Sequence, residues 1–112
     1  MGISTHVLDT SLGRPAIGVA VTLSRLTLGD WLTLYITATD ADGRVKSLLP
    51  APHALEPGLY RIHFDTADHF RPHRLECLYP YVEITFEVRD ADQHYHIPLL
   101  ITANGYTTYR GS

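Results

Sequence analysis

In the segment 94–101 an apolar side chain stands at every second position: Tyr95, Ile97, Leu99 and Ile101, with His94, His96, Pro98 and Leu100 between them. A period of two is the signature of a β-strand that buries one face. The pattern recurs along the chain. Ile17, Val19, Val21 and Leu23 alternate with Gly18, Ala20, Thr22 and Ser24, and Leu32, Leu34, Ile36 and Ala38 alternate with Trp31, Thr33, Tyr35 and Thr37. Pro57-Gly58 opens a strand from Leu59 to Phe64, and Val82, Ile84, Phe86 and Val88 form the core face of another whose Glu83, Thr85 and Glu87 face out. Thr5 and Val7 predict a further strand near the start. Turn signals separate these runs: Asp40-Ala41-Asp42-Gly43, Arg89-Asp90-Ala91-Asp92-Gln93, and the hairpin dipeptide Asn104-Gly105 before a last strand from Tyr106 to Arg110. Asp65-Thr66 offers the start of a helix that Pro72 limits to a turn or two. Seven or eight short strands with regular turns predict an all-β sandwich or barrel.

At 112 residues the chain fits one domain spanning 1–112. A hydrophobic share of 45% supports one core, and no apolar run approaches the ~20 residues of a spanning helix. Charged residues are only 19%, against a usual ~25%, which suggests that part of the surface is covered in an oligomer. The formal net charge is -3 and there is no basic stripe, which argues against nucleic acid as a partner. Cys77 is the only cysteine, so no intrachain disulfide forms, as suits a reducing compartment. The first residues show no secretory pattern, His6 stands where a myristoylation motif wants Ser or Thr, and the end is not a peroxisomal Ser-Lys-Leu, so a cytoplasmic location is expected.

Strand parity puts His94 and His96 on the face opposite Tyr95, Ile97, Leu99 and Ile101. They read as surface histidines, or as two ligands of a metal, although neither Cys77 nor the other His supplies a recognisable further ligand spacing. His6 faces outward if Thr5 and Val7 pack inward, and Arg44 follows the Asp42-Gly43 turn. Asp40-Ala41-Asp42-Gly43 fails the spacing of a calcium loop. A Gly-x-Ser-x-Gly elbow and a glycine-rich phosphate loop are both lacking, so covalent catalysis and nucleotide binding have little support. On the last strand Tyr109 and Thr107 share a face, with Arg110 on the other. Two imidazoles, a guanidinium and a phenol remain. These suit activation of water and binding of an anionic, planar, carbonyl-rich substrate.

Several segments in order carry a resemblance: Ser4-Thr5-His6-Val7-Leu8-Asp9, Thr39-Asp40-Ala41-Asp42-Gly43-Arg44, Phe64-Asp65-Thr66, Pro80-Tyr81-Val82-Glu83-Ile84, His94-Tyr95-His96-Ile97-Pro98-Leu99-Leu100 and the tail Tyr109-Arg110-Gly111-Ser112. Over nearly its whole length the chain resembles the 5-hydroxyisourate hydrolases, the transthyretin-related proteins. The resemblance implies a transthyretin-like sandwich of two four-stranded antiparallel sheets with one short helix. It also implies a homotetramer, a dimer of dimers with sites in the cleft where dimers meet. The implied reaction is metal-free and cofactor-free hydrolysis of 5-hydroxyisourate to 2-oxo-4-hydroxy-4-carboxy-5-ureidoimidazoline, in urate breakdown. His6, Arg44, His96 and Tyr109 match the family's active-site positions. His6 or His96 would act as general base, Arg44 would meet the negative charge, Tyr109 would position the ring, and Ser112 would lie beside the site. Where family members read Leu-Ser-Pro-Tyr-Gly-Tyr, this chain has Ile101-Thr102-Ala103-Asn104-Gly105-Tyr106. Two rivals stay open at this level: a non-enzymatic carrier of small aromatic ligands on the same fold, and a metal-binding sandwich using His94 and His96.

Overall fold

The computed structural model describes residues 2–73 and 75–112. Nine strands and one short helix form two packed sheets among the described residues. One sheet is built on β1 (Ile3–Asp9), whose one edge carries the short β2 (Arg14–Pro15) and β5 (Arg44–Val45), and whose other edge carries β8 (Tyr95–Thr102) and then β9 (Gly105–Thr108). The other has the order β4 (Asp30–Ala38), β3 (Ala20–Thr27), β6 (Gly58–Phe64), β7 (Val82–Val88).

The transthyretin-like sandwich expected from the sequence is present, with two differences. The two-residue strands β2 and β5 bring one sheet to five members. The ladder between β1 and β8 is parallel, from Ile3 beside Tyr95 to Asp9 beside Ile101. Parallel neighbours need a long crossover, and here the intervening chain builds the whole second sheet. Local periodicity carries no record of such a pairing.

The inward faces follow the alternation. Ile3, Val7, Ile97, Leu99 and Ile101 from one sheet meet Val21, Leu23, Tyr60, Ile62, Phe64, Val82 and Val88 from the other, all buried. Burying such side chains contributes roughly 1.5–3 kcal/mol each. Strand β4 departs from this order. A β-bulge between Leu23 and Ser24 shifts its register, and Tyr35 and Thr37 stand opposite the buried Leu23 and Val21. Ile36 is thereby turned outward and is exposed, while Leu32, opposite Arg25 on the inner side, is also left exposed.

Helix α1 (Thr66–Phe70) begins where Asp65-Thr66 predicts, although Asp65 makes no side-chain cap bond, and it passes into a 3-10 turn at Arg71–His73. Three anchors hold it: Phe70 is fully buried, the Thr66 hydroxyl donates to the Tyr79 carbonyl, and His69 Nε2 lies 2.7 Å from the buried Asp9 carboxylate. Among the described residues no helix is long and apolar enough to cross a membrane.

Candidate active site

Side chains that alternation keeps out of the core collect on the outer face of the five-stranded sheet. On β1, Ile3, Thr5 and Val7 point inward, so Ser4 and His6 point outward. The parallel ladder sets Ser4 beside His96 and His6 beside Pro98. The short β5 sets Arg44 opposite His6. Paired residues share a face, so Ser4, His6, Arg44 and His96 lie together. The three segments come from residues 4–6, 44 and 96, far apart in the chain.

Two close backbone approaches make this placement possible. Gly43 has a φ of 74°, and a Cβ there would stand 2.5 Å from the Val7 carbonyl oxygen. Only glycine permits the turn to press onto β1 and deliver Arg44 beside His6. The Asp40 carboxylate fixes the same turn by accepting the N–H groups of Asp42 and Arg44. These bonds hold the Asp40 carboxyl below its usual value. The second device is the tail. Gly111 donates its N–H to the His96 carbonyl at 2.8 Å, and a Cβ on it would stand 2.5 Å from His96 Cδ2. The glycine of the terminal Tyr-Arg-Gly-Ser is therefore a close-approach residue lying against the imidazole, and it carries Ser112 past His96.

A cavity of about 220 Å³ opens on this face, lined by Ser4, Arg44, Lys46, His94, His96 and Ser112 among others. Ser4 is only 8% exposed, and its hydroxyl meets both histidines: His94 Nε2 at 2.8 Å and His96 Nδ1 at 2.7 Å. His6 flanks the cavity, its Nε2–H donating to the Asp42 carbonyl at 2.9 Å. A carbonyl only accepts, so neutral His6 carries its lone pair on Nδ1. Burial lowers the His96 imidazole below its ordinary value of 6.5, and the charges of Arg44, His6 and His94 add to the shift. His96 is thus held toward the neutral form, which can take a proton.

Of the residues predicted from sequence, Arg44, His96 and Ser112 line one cavity and His6 stands at its side. Tyr109 does not line it. The offset that pairs Leu99 with Thr108 also pairs His96 with Gly111, which brings Tyr109 opposite Pro98, on the outer-face parity. Yet Tyr109 is 56% exposed and borders a separate opening of about 230 Å³ beside Tyr95, Ile97 and Arg110. Arg110 takes the other face as parity requires, with its guanidinium 4.5 Å from the centre of the Tyr95 ring. Sequence reasoning passed over Ser4 and Lys46 as site residues and left His94 between surface and metal. Parity on β1 already placed Ser4 on the side of His6; its contact with residues 94 and 96 depends on the parallel pairing.

Size does not select the site. A larger cavity of about 410 Å³ lies beside α1, where Arg14, Asp65, Asp68, His69 and His73 face one another. Two of its ionisable groups are spent on neighbours, His69 on Asp9 and Asp68 on Arg71. The smaller outer-face cavity combines cations, hydroxyls and a depressed imidazole. That set can bind an anion and move a proton.

Comparison with known proteins gives a consistent result. The family model described as HIUase/Transthyretin family matches residues 3–111. The 5-hydroxyisourate hydrolase of Mus musculus is 43% identical over 112 residues, covering 98% of this chain and 94% of its own. Among solved structures, Klebsiella pneumoniae 5-hydroxyisourate hydrolase superimposes with a TM-score of 0.86 at 39% identity, over the full length of both chains. Sea bream transthyretin in complex with thyroxine superimposes with a TM-score of 0.90 at 27% identity, covering 99% of this chain and 95% of its own.

Proposed function

Because the chain belongs to the HIUase/transthyretin family, we propose that it is a hydrolase that opens the ring of 5-hydroxyisourate in urate degradation. The backbone does not separate this reading from a carrier, since the fold matches enzyme and transthyretin about equally well. Function resides in the site. The observation that carries the reading is the outer-face cavity, where the depressed imidazole of His96 stands among Arg44, Ser4 and Ser112, with His6 at the side.

The reaction is water attack on a ring carbonyl. His96 Nε2 takes a proton from the water as the C–O bond forms. Arg44 pairs with the oxyanion that develops, a contribution of about 3 kcal/mol for one well-placed donor. Collapse of the tetrahedral intermediate breaks the C–N bond, and His96 returns the proton to the leaving nitrogen. His6, pinned through Nε2–H to Asp42, and Ser112 orient the substrate. No step needs a metal or a cofactor. The site is shallow and open on one chain, and Leu12, Ile17, Tyr79, Tyr81, Tyr106 and Tyr109 leave much apolar surface exposed. We place the working enzyme in a homotetramer, with a second dimer closing the cleft over this face.

The test follows the absorbance of freshly generated 5-hydroxyisourate. Purified protein should speed its decay in proportion to enzyme concentration. Decay at the spontaneous rate, together with tight binding of aromatic ligands, would establish the carrier instead.

A further inference from the structure

We propose that Ser4 and His94 are positioning residues for His96, the Ser4 hydroxyl fixing His96 in its Nδ1–H tautomer and linking it to His94 as a proton relay. The inference rests on the reading of His96 as general base.

A hydroxyl donates one proton and accepts on its lone pairs. Ser4 Oγ stands 2.8 Å from His94 Nε2 and 2.7 Å from His96 Nδ1; its single proton lets only one imidazole accept, and that proton is used within the pair only if one imidazole donates and the other accepts. The chain has two possible directions. If His94 donates and His96 accepts, neutral His96 carries its proton on Nε2, and the nitrogen left for substrate has no lone pair. If His96 Nδ1–H donates to Ser4, and Ser4 donates to His94 Nε2, His96 presents a free Nε2 lone pair. The surroundings favour the second direction. Arg44 and Lys46 line the same cavity and have only N–H donors, so an acceptor at Nε2 suits them and an N–H does not.

The relay follows from exposure and charge. His96 is partly buried with Arg44 and His6 close by, whereas His94 is exposed. When His96 Nε2 takes a proton from water, its Nδ1 proton passes to Ser4 Oγ, and the Ser4 proton passes to His94 Nε2. The positive charge moves from the cavity to an imidazole in contact with solvent. His96 keeps the new Nε2 proton, and as that proton passes to the leaving nitrogen the relay runs back, His94 returning a proton to Ser4 and Ser4 one to His96 Nδ1. Gly2 packs beside the His94 ring, and the Gly2 carbonyl accepts the Tyr95 N–H, which steadies His94 at the strand entrance.

Nitrogen-15 NMR of the histidine-labelled protein, without substrate, should show His96 protonated at Nδ1 and bare at Nε2. Ser4→Ala should release that tautomer and lower kcat on the order of 100-fold, with KM within about twofold and Ser4→Thr restoring most of the loss. His94→Gln keeps an acceptor for Ser4 but cannot hold a proton. It should preserve the tautomer, slow kcat, and straighten a curved dependence of rate on deuterium fraction. An Nε2–H His96 in active wild-type protein overturns the proposal, as does a Ser4→Ala variant with full kcat. The NMR result needs no variant to fold and no turnover. A correct tautomer in a protein that leaves 5-hydroxyisourate untouched defeats the proposed reaction and leaves the hydrogen-bond chain standing.

Discussion

The proposed chemistry turns on how closely a few residues approach one imidazole. Gly111 lies against the His96 ring with no room for a Cβ, which would stand 2.5 Å from Cδ2 and 3.1 Å from Pro98 Cγ. Gly111→Ala should therefore displace His96 or the tail, and a shift near 1 Å costs on the order of 100-fold in kcat. A thermal melt of the variant should stay within a few degrees of wild type; unchanged kcat would show that the contact is not needed. The depressed His96 imidazole makes a second prediction. Its acid form is disfavoured by burial and by Arg44 on β5, His6 on β1 and His94 at the entrance to β8. In the proposed reaction the active form is neutral, so the acid limb of kcat/KM should fall below 6.5, and a limb at or above that value would contradict the assignment. His6 and His96 were legible as residues that matter, and Gly111 only as part of a family tail. The importance of Ser4 was not, because a serine between Ile3 and Thr5 carries no chemical signal until its neighbour on the parallel strand is known.

At the scale of elements, β1 organises both ends of the sheet. Its Ser4 end carries the candidate site, and its Asp9 end holds α1. Burial raises the Asp9 carboxyl, but bonds from the Ser11 hydroxyl, His69 and the Leu12 N–H, with the charge of His69, outweigh that effect and leave it below 3.8. The folded pKa is depressed, so this stabilisation is present above the unfolded carboxylate value and is lost as pH falls through the folded one. Asp9→Asn should cost about 2–3 kcal/mol near neutral pH, a drop of roughly 10 °C in Tm. The gap between variant and wild type should close below pH 3.8; a gap that persists there would show that the carboxylate charge is not the source. Alternation located the strands β3, β4, β6, β7 and β8 closely. It did not reveal β2 or β5, which are too short to show a period, nor the bulge that turns Ile36 to solvent.

For the whole molecule, the open cavity and the exposed apolar side chains set the expectation of assembly. A homotetramer should dissociate on dilution. Specific activity should then fall over the concentration range in which sedimentation shows smaller species. Activity that stays constant through dissociation would place the complete site within one chain. The low charged fraction of the sequence pointed toward a covered surface, but which face is covered depends on where the strands lie.

By itself the sequence determined the β class, the inward and outward sides of most strands, the turn that carries Arg44, and membership of a family through segments spread over its length. These are local properties: side-chain parity, glycine conformations and short motifs survive in a linear string. Tertiary structure alone decided that β1 runs parallel to β8, that β5 lies on the other edge of β1, and that the tail passes over His96. The first of these pairings joins residues some 90 positions apart, as the contacts of Ser4 with His94 and His96 show. Long-range hydrogen-bond register arises from packing the two sheets around one core, and a periodic pattern is the same whichever strand lies beside it. The tertiary structure therefore turned a set of outward-facing polar residues into a candidate site.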